Sequence, residues 1–542
     1  MRIVSSRMPD KRIVSSQANK HTVQISEKHH SFLIVLGVNQ GLNVEQTLEK
    51  LLDINMIARG QKPEKTNTGV NLTGEQQQAV DLALQGYSVQ IDACAGSGKT
   101  TVLKRISNSM PEKKGLYLSF NRKNVDAAAR SFPPNSVDCM TPHRLAYQAI
   151  GYNYRKRLNG GKLKGFDLAR EIGIQTIGSF TRTILGEIVI TVVNQFCYSA
   201  DKKIHEKHIP KVYDPLFSDE TEAIYVKQAI VFHAEQAWNL LCSDDCELPV
   251  DHDFYLKLWG LSQPKLEYQY IMFDEAQDAN PTMLDIVMKQ KVQVIMVGDL
   301  RQAIYAWRGA VNAMSAVKLD KRVSITQSFR YGQAIANIAS RVVSKGLNID
   351  YRILGAGQIQ SEITNLDCKV ILCRTNLKLI DIAMNLYQSR DNIKIHIVGN
   401  NGKNSELVNL LTGAADLKNN NRTLVPELMH FSSWNEVMVY SETEAGKNLA
   451  GLVRMANMYP IHHLTDTLIR ISQNTEESAD VILSTVHKAK GMEWDSVKLE
   501  NDFPLPGSDR FTEEDVNLLY VAITRAKRAL NIRDCHAVNL LM

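Results

Sequence analysis

A glycine-rich turn between a strand and a helix constrains the fold of this chain more than any other feature. Residues 93–100 read Ala-Cys-Ala-Gly-Ser-Gly-Lys-Thr; they follow the apolar run 89–91 directly and precede the helical segment 101–106. Glycines let backbone N–H groups converge on phosphate oxygens, and the start of a helix adds its dipole. This order predicts a parallel α/β sheet with a phosphate-bearing ligand at the carboxyl ends of its strands.

Apolar runs of strand length recur along the chain, and most are followed by polar or glycine-rich turns. The runs form two groups, and each group is interrupted by a long segment that is richer in helix formers and charges, from 151 to about 264 and from about 400 to 477. We therefore predict two parallel sheets with mainly helical insertions. The runs of the first group are residues 89–91, 115–120, 270–273 and 292–297, and those of the second are 368–373, 393–398 and 481–484.

Composition and charge restrict the class of protein only mildly. The net charge of +5 over 542 residues permits a polyanionic partner without requiring one. No spacing of the eight cysteines completes a zinc site with a second pair or a histidine cluster. The amino terminus lacks the apolar core of a signal peptide, and the most apolar run, 184–193, contains Glu187 and is too short to span a bilayer. We therefore expect a soluble intracellular protein with no membrane partner.

Residues 1–70 differ in sequence pattern from the rest of the chain. Arg-Ile-Val-Ser-Ser occurs at 2–6 and again at 12–16, and residues 61–69 are polar and broken by Pro and Gly, like a linker. Apolar residues at helical spacing within 43–58 predict a small helical accessory element.

Two groups of residues carry the chemistry of nucleotide hydrolysis. Lys99 would reach the β- and γ-phosphates of a nucleotide, and Thr100 would offer a hydroxyl to Mg²⁺. Asp274 would hold Mg²⁺ through water, while Glu275 would orient and deprotonate the attacking water. An acidic pair after an apolar run is also common as a helix cap. The phosphate loop upstream favours the nucleotide site.

A third motif, residues 297–309, also follows a predicted strand. Gln302 would sense the γ-phosphate. Tyr305 and Trp307 either stack on nucleic-acid bases, at about 1–3 kcal/mol for each base, or belong to an aromatic core.

These three motifs resemble motifs I, II and III of the superfamily 1 helicases of the UvrD/Rep type. Gln76 in Leu-Thr-Gly-Glu-Gln (72–76) resembles the adenine-reading Q motif of that family. The remaining motifs follow in the family's order: Ia at 118–123, Ib at 141–145, IV at 327–330, V at 485–494 and VI at 520–527.

The resemblance implies two RecA-like domains and a set of site residues. Arg330 and Arg525, in the second sheet's motifs, would act as arginine fingers if ATP lies in the cleft between the sheets. The catalytic residues implied are Glu275, Gln302, Arg330 and Arg525. The nucleotide-binding residues implied are Gln76, Ala95, Gly96, Ser97, Gly98, Lys99, Thr100, Thr101, Phe329 and Glu493, and the metal ligands are Thr100 and Asp274. The DNA-binding residues implied are Phe120, Asn121, Thr141, His143, Tyr305, Trp307, Arg308, Thr485 and His487.

The domain organisation expected on this basis alternates the two sheets with their insertions. The ranges are an N-terminal accessory region at 1–70, domain 1A at 71–150 and 265–322, insertion 1B at 151–264, domain 2A at 323–400 and 477–542, and a reduced 2B-type insertion at 401–476.

Within the family, the strongest resemblance is to the helicase core of the F-box DNA helicases. It rests on Phe-Asn-Arg-Lys (120–123), His-Arg-Leu-Ala-Tyr (143–147), Tyr-Arg-Lys-Arg (154–157) and residues 518–527. No F-box is recognisable before the core. Because nine residues follow Arg533, we expect no C-terminal tail for partner docking. Phe329 stands where the family usually has Tyr, a change that should preserve stacking on adenine.

The activity implied is an ATP- and Mg²⁺-dependent DNA helicase on single-stranded DNA and duplex junctions, with 3′-to-5′ polarity, in repair, recombination or replication. It would be nucleoid-associated in a prokaryote and nuclear in a eukaryote. Two alternatives remain: a translocase that strips proteins from DNA, and a regulatory ATPase subunit of a nuclease or defence complex. The basic–aromatic stretch 152–157, with Lys162 and Lys164, is either a solvated loop or a contact to duplex phosphates.

Overall fold

The computed structural model describes three short strands near the amino terminus and residues 71–542. The gaps within 71–542 are residues 179, 212, 214–219, 305–312, 391, 401, 403–404, 424, 426, 429–430 and 443–446. The chain divides into two compact units, Met1–Asn71 and Leu72–Met542.

The first unit contains an antiparallel sheet of three strands, β1 (Arg2–Val4), β2 (Arg12–Ser15) and β3 (Thr22–Ile25), in that order. The repeated Arg-Ile-Val-Ser sequence pairs with itself, so that Ile3 lies opposite Val14. The helix predicted within 43–58 and the linker predicted at 61–69 lie outside the described residues.

The second unit contains two six-stranded sheets, and every pairing within them is parallel. The first sheet has the strand order β6-β5-β7-β8-β4-β9, and the second has the order β10-β15-β14-β11-β13-β12. The strands of the first sheet are β4 (Val89–Ala93), β5 (Gly115–Ser119), β6 (Val137–Met140), β7 (Tyr270–Asp274), β8 (Gln293–Gly298) and β9 (Lys321–Ile325). Those of the second are β10 (Glu362–Ile363), β11 (Val370–Cys373), β12 (Ile395–Ile397), β13 (Val481–Thr485), β14 (Trp494–Leu499) and β15 (Ala526–Asn531). The predicted α/β class with two parallel-sheet domains is confirmed.

Helices cover the sheets and make up most of the two insertions. Helix α1 (Gly74–Leu84) precedes β4. The helices that follow strands of the first sheet are α2 (Lys99–Asn108), α3 (Arg122–Ser131), α4 (Pro142–Ala149), α10 (Pro281–Met288) and α11 (Ala313–Ala316). The first insertion contributes α5 (Arg155–Leu158), α6 (Gly165–Glu171), α7 (Arg182–Tyr198), α8 (Glu220–Cys242) and α9 (His252–Leu261). Around the second sheet lie α12 (Gln333–Leu347), α13 (Asn376–Ser389), α18 (Val486–Ala489), α19 (Glu513–Ile523) and α20 (His536–Leu540). The second insertion holds α14 (Glu406–Lys418), α15 (Trp434–Ser441), α16 (Lys447–Met458) and α17 (Ile461–Ile471).

Alternation of side chains along β7 divides the core of the first sheet into two layers. Ile271 and Phe273 belong to the cluster that includes Ile188 and Phe196 of the first insertion. Met272 belongs to the cluster on the opposite face, as the twofold period of a strand requires. The first insertion is therefore anchored to the sheet by its apolar helices.

Strand β9 bears on the predicted boundary between domains 1A and 2A. It pairs with β4 from Lys321 to Ile325, so a boundary between residues 322 and 323 would cut through the last strand of the first sheet. We propose that domain 1A continues to Ile325; the other domain boundaries stay predictions. Within the described part of the chain, no helix combines the length and the apolar character needed to cross a membrane.

Candidate active site

The glycine-rich loop turns sharply between β4 and α2. Gly96 and Gly98 adopt left-handed φ angles of 77° and 75°, which residues with a Cβ adopt only at a cost. A Cβ on Gly96 would also lie 2.8 Å from Ser328 Oγ and would overlap Arg330 Cβ. Helix α2 begins at Lys99, and the first N–H groups of a helix have no acceptor inside it. The loop thus presents backbone donors in the way that a phosphate-binding cradle requires.

Gln76 lies against this loop rather than in open solvent. Its Nε2 donates to the carbonyl of Ser97 at 2.9 Å, and its Oε1 accepts from the backbone N–H of Thr73 at 2.9 Å. The side chain is 2% exposed. Gln76 therefore supports the loop and caps α1, and its role in reading adenine stays a prediction.

The acidic pair lies at the carboxyl end of β7, next to Lys99. The Lys99 ammonium is 3.2 Å from Glu275 Oε2, and the Tyr117 hydroxyl donates to Asp274 Oδ2 at 2.7 Å. Burial and the neighbouring Glu275 carboxylate raise the pKa of Asp274. Burial alone would raise the pKa of Glu275, but Lys99 and Lys490 outweigh it and lower that pKa. In this arrangement Glu275 is the more acidic member of the pair.

The backbone at Glu275 is itself unusual. Its φ of 54° and ψ of 39° are left-handed, a conformation that costs a non-glycine residue on the order of 1 kcal/mol or more. Gln277 Nε2 donates to Glu275 Oε2 at 2.6 Å, and Gln277 Oε1 accepts from the backbone N–H of Asp299 at 3.1 Å. Gln277 therefore connects the acidic turn to the loop that follows β8.

Gln302 is buried in that loop, and its side chain bonds within the protein. Its Nε2 donates to Asp299 Oδ2 at 2.6 Å, and its carbonyl accepts from the Lys490 ammonium. Its proposed role as γ-phosphate sensor stays a prediction.

The two predicted arginine fingers come from the part of the chain that follows the first sheet. Arg330 Nε lies 2.6 Å from Glu493 Oε2, and the backbone N–H of Phe329 donates to Gly96 O at 2.8 Å. Arg525 is 1% exposed and donates to the carbonyls of Val521 and Met492. Burial, reinforced by the nearby Arg330, lowers the pKa of Arg525 to about 9. Within the described chain, no carboxylate lies at ion-pair distance from its guanidinium, which makes the site electrostatically suited to an anion.

These residues fit ATP and Mg²⁺. The left-handed glycines leave no room for a Cβ beside Gln76 and Arg330, and Lys99 and Arg525 supply positive charge. Among the described residues, the buried hydroxyl of Ser97 has no hydrogen-bond partner. Thr100, exposed at the start of α2, and Asp274 are the oxygen donors that would hold the metal. Thr101 and Ala95 complete the loop, and the ring of Phe329, 48% exposed beside it, is available for stacking.

The predicted DNA-contact residues of the first sheet gather at the carboxyl ends of β5 and β6. The Phe120 ring is 43% exposed and lies 6.1 Å from the His143 ring, edge to face. His143 Nε2 is 3.0 Å from Asp253 Oδ1 of α9. Asn121 and Thr141 accept backbone N–H groups as the caps of α3 and α4. The four residues thus share one surface.

The other predicted DNA contacts are less exposed or lie elsewhere. Thr485 ends β13 and is 6% exposed, and His487 is half-buried. Tyr305, Trp307 and Arg308 fall outside the described residues, so their stacking role stays a prediction.

The basic–aromatic stretch of the first insertion divides into two parts. Arg157 points inward, where it donates to the carbonyls of Leu241 and Leu248. Arg155 is exposed and lies 4.3 Å from the centroid of the exposed Tyr152 ring. Arg157 therefore has a structural role, while the exposed residues remain candidates for phosphate contact.

Several residues of the site carried no predicted role: Tyr117, Gln277, Asp278, Asp299, Ser328, Lys490 and Tyr520. Two of them had a signal in the sequence, since Asp299 stands directly after β8 and Asp278 lies four residues after the end of β7. The tyrosines lie within apolar runs and have the pattern of core residues.

Family models match both halves of this arrangement. The UvrD/REP helicase N-terminal domain matches residues 258–320, and the UvrD-like helicase C-terminal domain matches residues 381–536. F-box DNA helicase protein 1 of Schizosaccharomyces pombe is 30% identical over 89% of this chain and 59% of its own length. The resemblance of this chain to the UvrD/Rep-type helicases is therefore confirmed.

Two further relatives have similar names. F-box DNA helicase 1 of Gallus gallus is 30% identical over 85% of the chain and 49% of its own length. A probable DNA helicase II homolog of Mycoplasma genitalium is 22% identical over 52% of the chain and 56% of its own length. The resemblance to F-box DNA helicases is confirmed. The chain spans only about half to three fifths of the length of the two F-box relatives.

Proposed function

We propose that this chain is an ATP-dependent DNA helicase that translocates on single-stranded DNA with 3′-to-5′ polarity and separates duplexes at junctions. We propose that it acts in DNA repair, recombination or replication, at the nucleoid of a prokaryotic cell or in the nucleus of a eukaryotic one. The names of its relatives support the DNA helicase activity, and the polarity rests on the family resemblance.

The observation that carries the proposal is the meeting of two sets of groups in one cleft. Lys99, Asp274 and Glu275 belong to the first sheet, and Arg525 belongs to the second. Arg330, next to the phosphate loop, lies on the segment that connects them. Hydrolysis that needs both sets requires the domains to close, and opening afterwards provides a stroke along DNA.

Each residue of the cleft has a distinct task in this proposal. Bound ATP with Mg²⁺ supplies the reactive phosphoryl group and the metal's charge. Lys99 neutralises phosphate oxygens, and Glu275, ionised beside Lys99, accepts the proton of the attacking water. Arg330 and Arg525 stabilise the negative charge of the transition state, where such groups are worth roughly 10³–10⁵ in rate.

Phe120 supports coupling between hydrolysis and DNA. It follows β5, the strand that lies next to β7 and the acidic pair, and its ring is exposed. An exposed ring at this edge is suited to stacking on bases without sequence preference.

ATP turnover with and without oligo-dT, followed by unwinding of 3′-tailed and 5′-tailed duplexes, tests the proposal. We expect strong stimulation by DNA and unwinding of the 3′-tailed substrate alone, with Lys99→Ala inactive in both assays. Equal turnover with and without DNA would refute the coupling. Unwinding of only the 5′-tailed duplex would reverse the polarity while leaving the helicase activity in place.

A further inference from the structure

The hydroxyl group of Tyr520 bridges the two sheets beside the phosphate loop. Tyr520 lies on α19 of the second sheet and is completely buried. Its oxygen is 3.0 Å from the backbone nitrogen of Ala95 and 2.9 Å from Asp299 Oδ2. One side chain of the second domain therefore contacts both the phosphate loop and the loop after β8.

The chemistry of the three groups fixes the direction of both hydrogen bonds. The Ala95 N–H can only donate, and a carboxylate oxygen of Asp299 accepts. The Tyr520 hydroxyl therefore accepts from Ala95 and donates its single proton to Asp299. Because Gln302 Nε2 donates to the same Asp299 oxygen at 2.6 Å, the hydroxyl also helps to fix the side chain of Gln302.

The carbonyl of Ala95 is held as well. Ser328 Oγ donates to it at 2.8 Å, and Ser328 lies on the segment that leads from β9 towards the second sheet. Both polar backbone groups of Ala95 are therefore bonded to side chains from beyond the first sheet. Ala95 directly precedes Gly96, so these bonds act on the loop that would cradle phosphate.

Packing alone does not explain the hydroxyl group. The Tyr520 ring lies 6.2 Å from the Tyr351 ring in a buried cluster, a position that phenylalanine would fill equally well. A buried hydroxyl is retained at no cost only when its hydrogen bonds are made, and here both are made across the domain interface.

Building on the proposed function, we propose that Tyr520 is a positioning residue that couples closure of the two domains to the conformations of the phosphate loop and of the Gln302 side chain. When the domains are closed, its hydroxyl holds the Ala95 amide and, through Asp299, the Gln302 side chain. When they separate, both contacts are lost together, and the loop and Gln302 lose their common support.

Tyr520→Phe removes the hydroxyl and retains the ring. We expect the kcat of DNA-stimulated ATP hydrolysis to fall roughly tenfold to a hundredfold, the range for a hydrogen bond to a charged group, while the KM for ATP changes only a few-fold. Tyr268→Phe is the matched control, since Tyr268 donates to Asp138 at 2.8 Å near the opposite edge of the first sheet. It should retain the wild-type kcat.

Two results separate this inference from the proposed function. A wild-type chain that does not hydrolyse ATP with DNA would refute the proposed function. An active wild type with an unchanged Tyr520→Phe kcat, or with a loss confined to KM, would refute only the positioning role.

A double-mutant cycle with Gln302→Ala tests the route through Asp299. If Tyr520 acts through Gln302, Tyr520→Phe should lower kcat much less in the Gln302→Ala background than in the wild type. Fully additive losses would show that the two residues act independently and would overturn this part of the inference.

Amide hydrogen exchange of the peptide that contains Ala95 tests the contact without turnover. In the nucleotide-free wild type the Ala95 amide should exchange slowly, in Tyr520→Phe it should exchange much faster, and in Tyr268→Phe it should match the wild type. If Tyr520→Phe does not fold, the wild type alone decides: fast exchange of Ala95 in an otherwise protected chain would refute the bond.

Discussion

Lys490 and Asp278 form a buried ion pair between the two sheets, in which the Lys490 ammonium lies 2.7 Å from each carboxylate oxygen of Asp278. Both side chains are 9% exposed. Lys490 follows α18 of the second sheet, and Asp278 follows β7 of the first. The pair therefore joins the second domain to the turn that contains Glu275.

Lys490→Met should lower the stability of the folded chain by roughly 3–5 kcal/mol, because it leaves the Asp278 carboxylate buried without a counter-charge. A thermal melt at neutral pH measures the effect. Lys207→Met is the matched control, since Lys207 pairs with Asp201 at 2.8 Å on the surface and exposed pairs contribute less than about 1 kcal/mol. An equal decrease of the melting temperature in the two variants would contradict the importance of the buried pair.

The same pair predicts a pH dependence. Burial raises the pKa of Asp278 from 3.8 to about 6, although Lys490 opposes the shift. Between these two values the folded chain retains a proton that the unfolded chain has released, so this contribution to stability is lost as the pH rises through that window. Asp278→Asn cannot titrate. Denaturation midpoints measured across the window should therefore fall in the wild type relative to Asp278→Asn, and a constant difference would contradict the prediction.

Glu275→Gln should bind ATP and turn it over at least roughly a hundredfold more slowly, because an amide positions water but cannot accept its proton. The Gln side chain keeps an oxygen for Lys99. Binding of a fluorescent ATP analogue and steady-state hydrolysis, measured on the same sample, separate the two effects. Turnover near the wild-type rate would mean that another residue is the base.

Arg525→Ala should leave nucleotide affinity within a few-fold and lower kcat by about 10³ or more. Arg525→Lys keeps the charge but loses the planar fork, so it should recover only part of the rate. Because Arg525 also bonds to Met492 O, melting temperatures of both variants are needed. A loss of affinity at unchanged kcat would place Arg525 outside the transition state's contacts.

The sequence predicted the two sheets because strands buried on both faces are continuous apolar runs, as in residues 270–273. The boundary between domains 1A and 2A, predicted between residues 322 and 323, was harder to place from the sequence. Strand β9 lies at the edge of its sheet, and Lys321, Arg322 and Ser324 are exposed, so the run does not have an apolar pattern. A pattern of apolar residues in the sequence reflects the burial of their side chains, and an edge strand buries fewer side chains than a central one.

The nucleotide-site residues were predicted where a motif confines them to one short loop, as with Lys99. Tyr117 and Tyr520 were missed because their surroundings are apolar and a tyrosine there resembles a core residue. What gives each hydroxyl a role is an acceptor far along the chain: Asp274 for Tyr117 and Asp299 for Tyr520. A single sequence contains no local signal for such pairs.

The crossing from the first sheet to the second passes directly beside the phosphate loop. Thr326 is bonded to Glu75 through both its backbone N–H and its hydroxyl, and Phe329 is bonded to Gly96. In a rigid rotation about this crossing, displacement grows in proportion to distance from the pivot. The phosphate loop would then move by a small fraction of the distance covered by the helical insertions. Under such a rotation, a slight adjustment around a nucleotide would become a much larger displacement of the helical insertions.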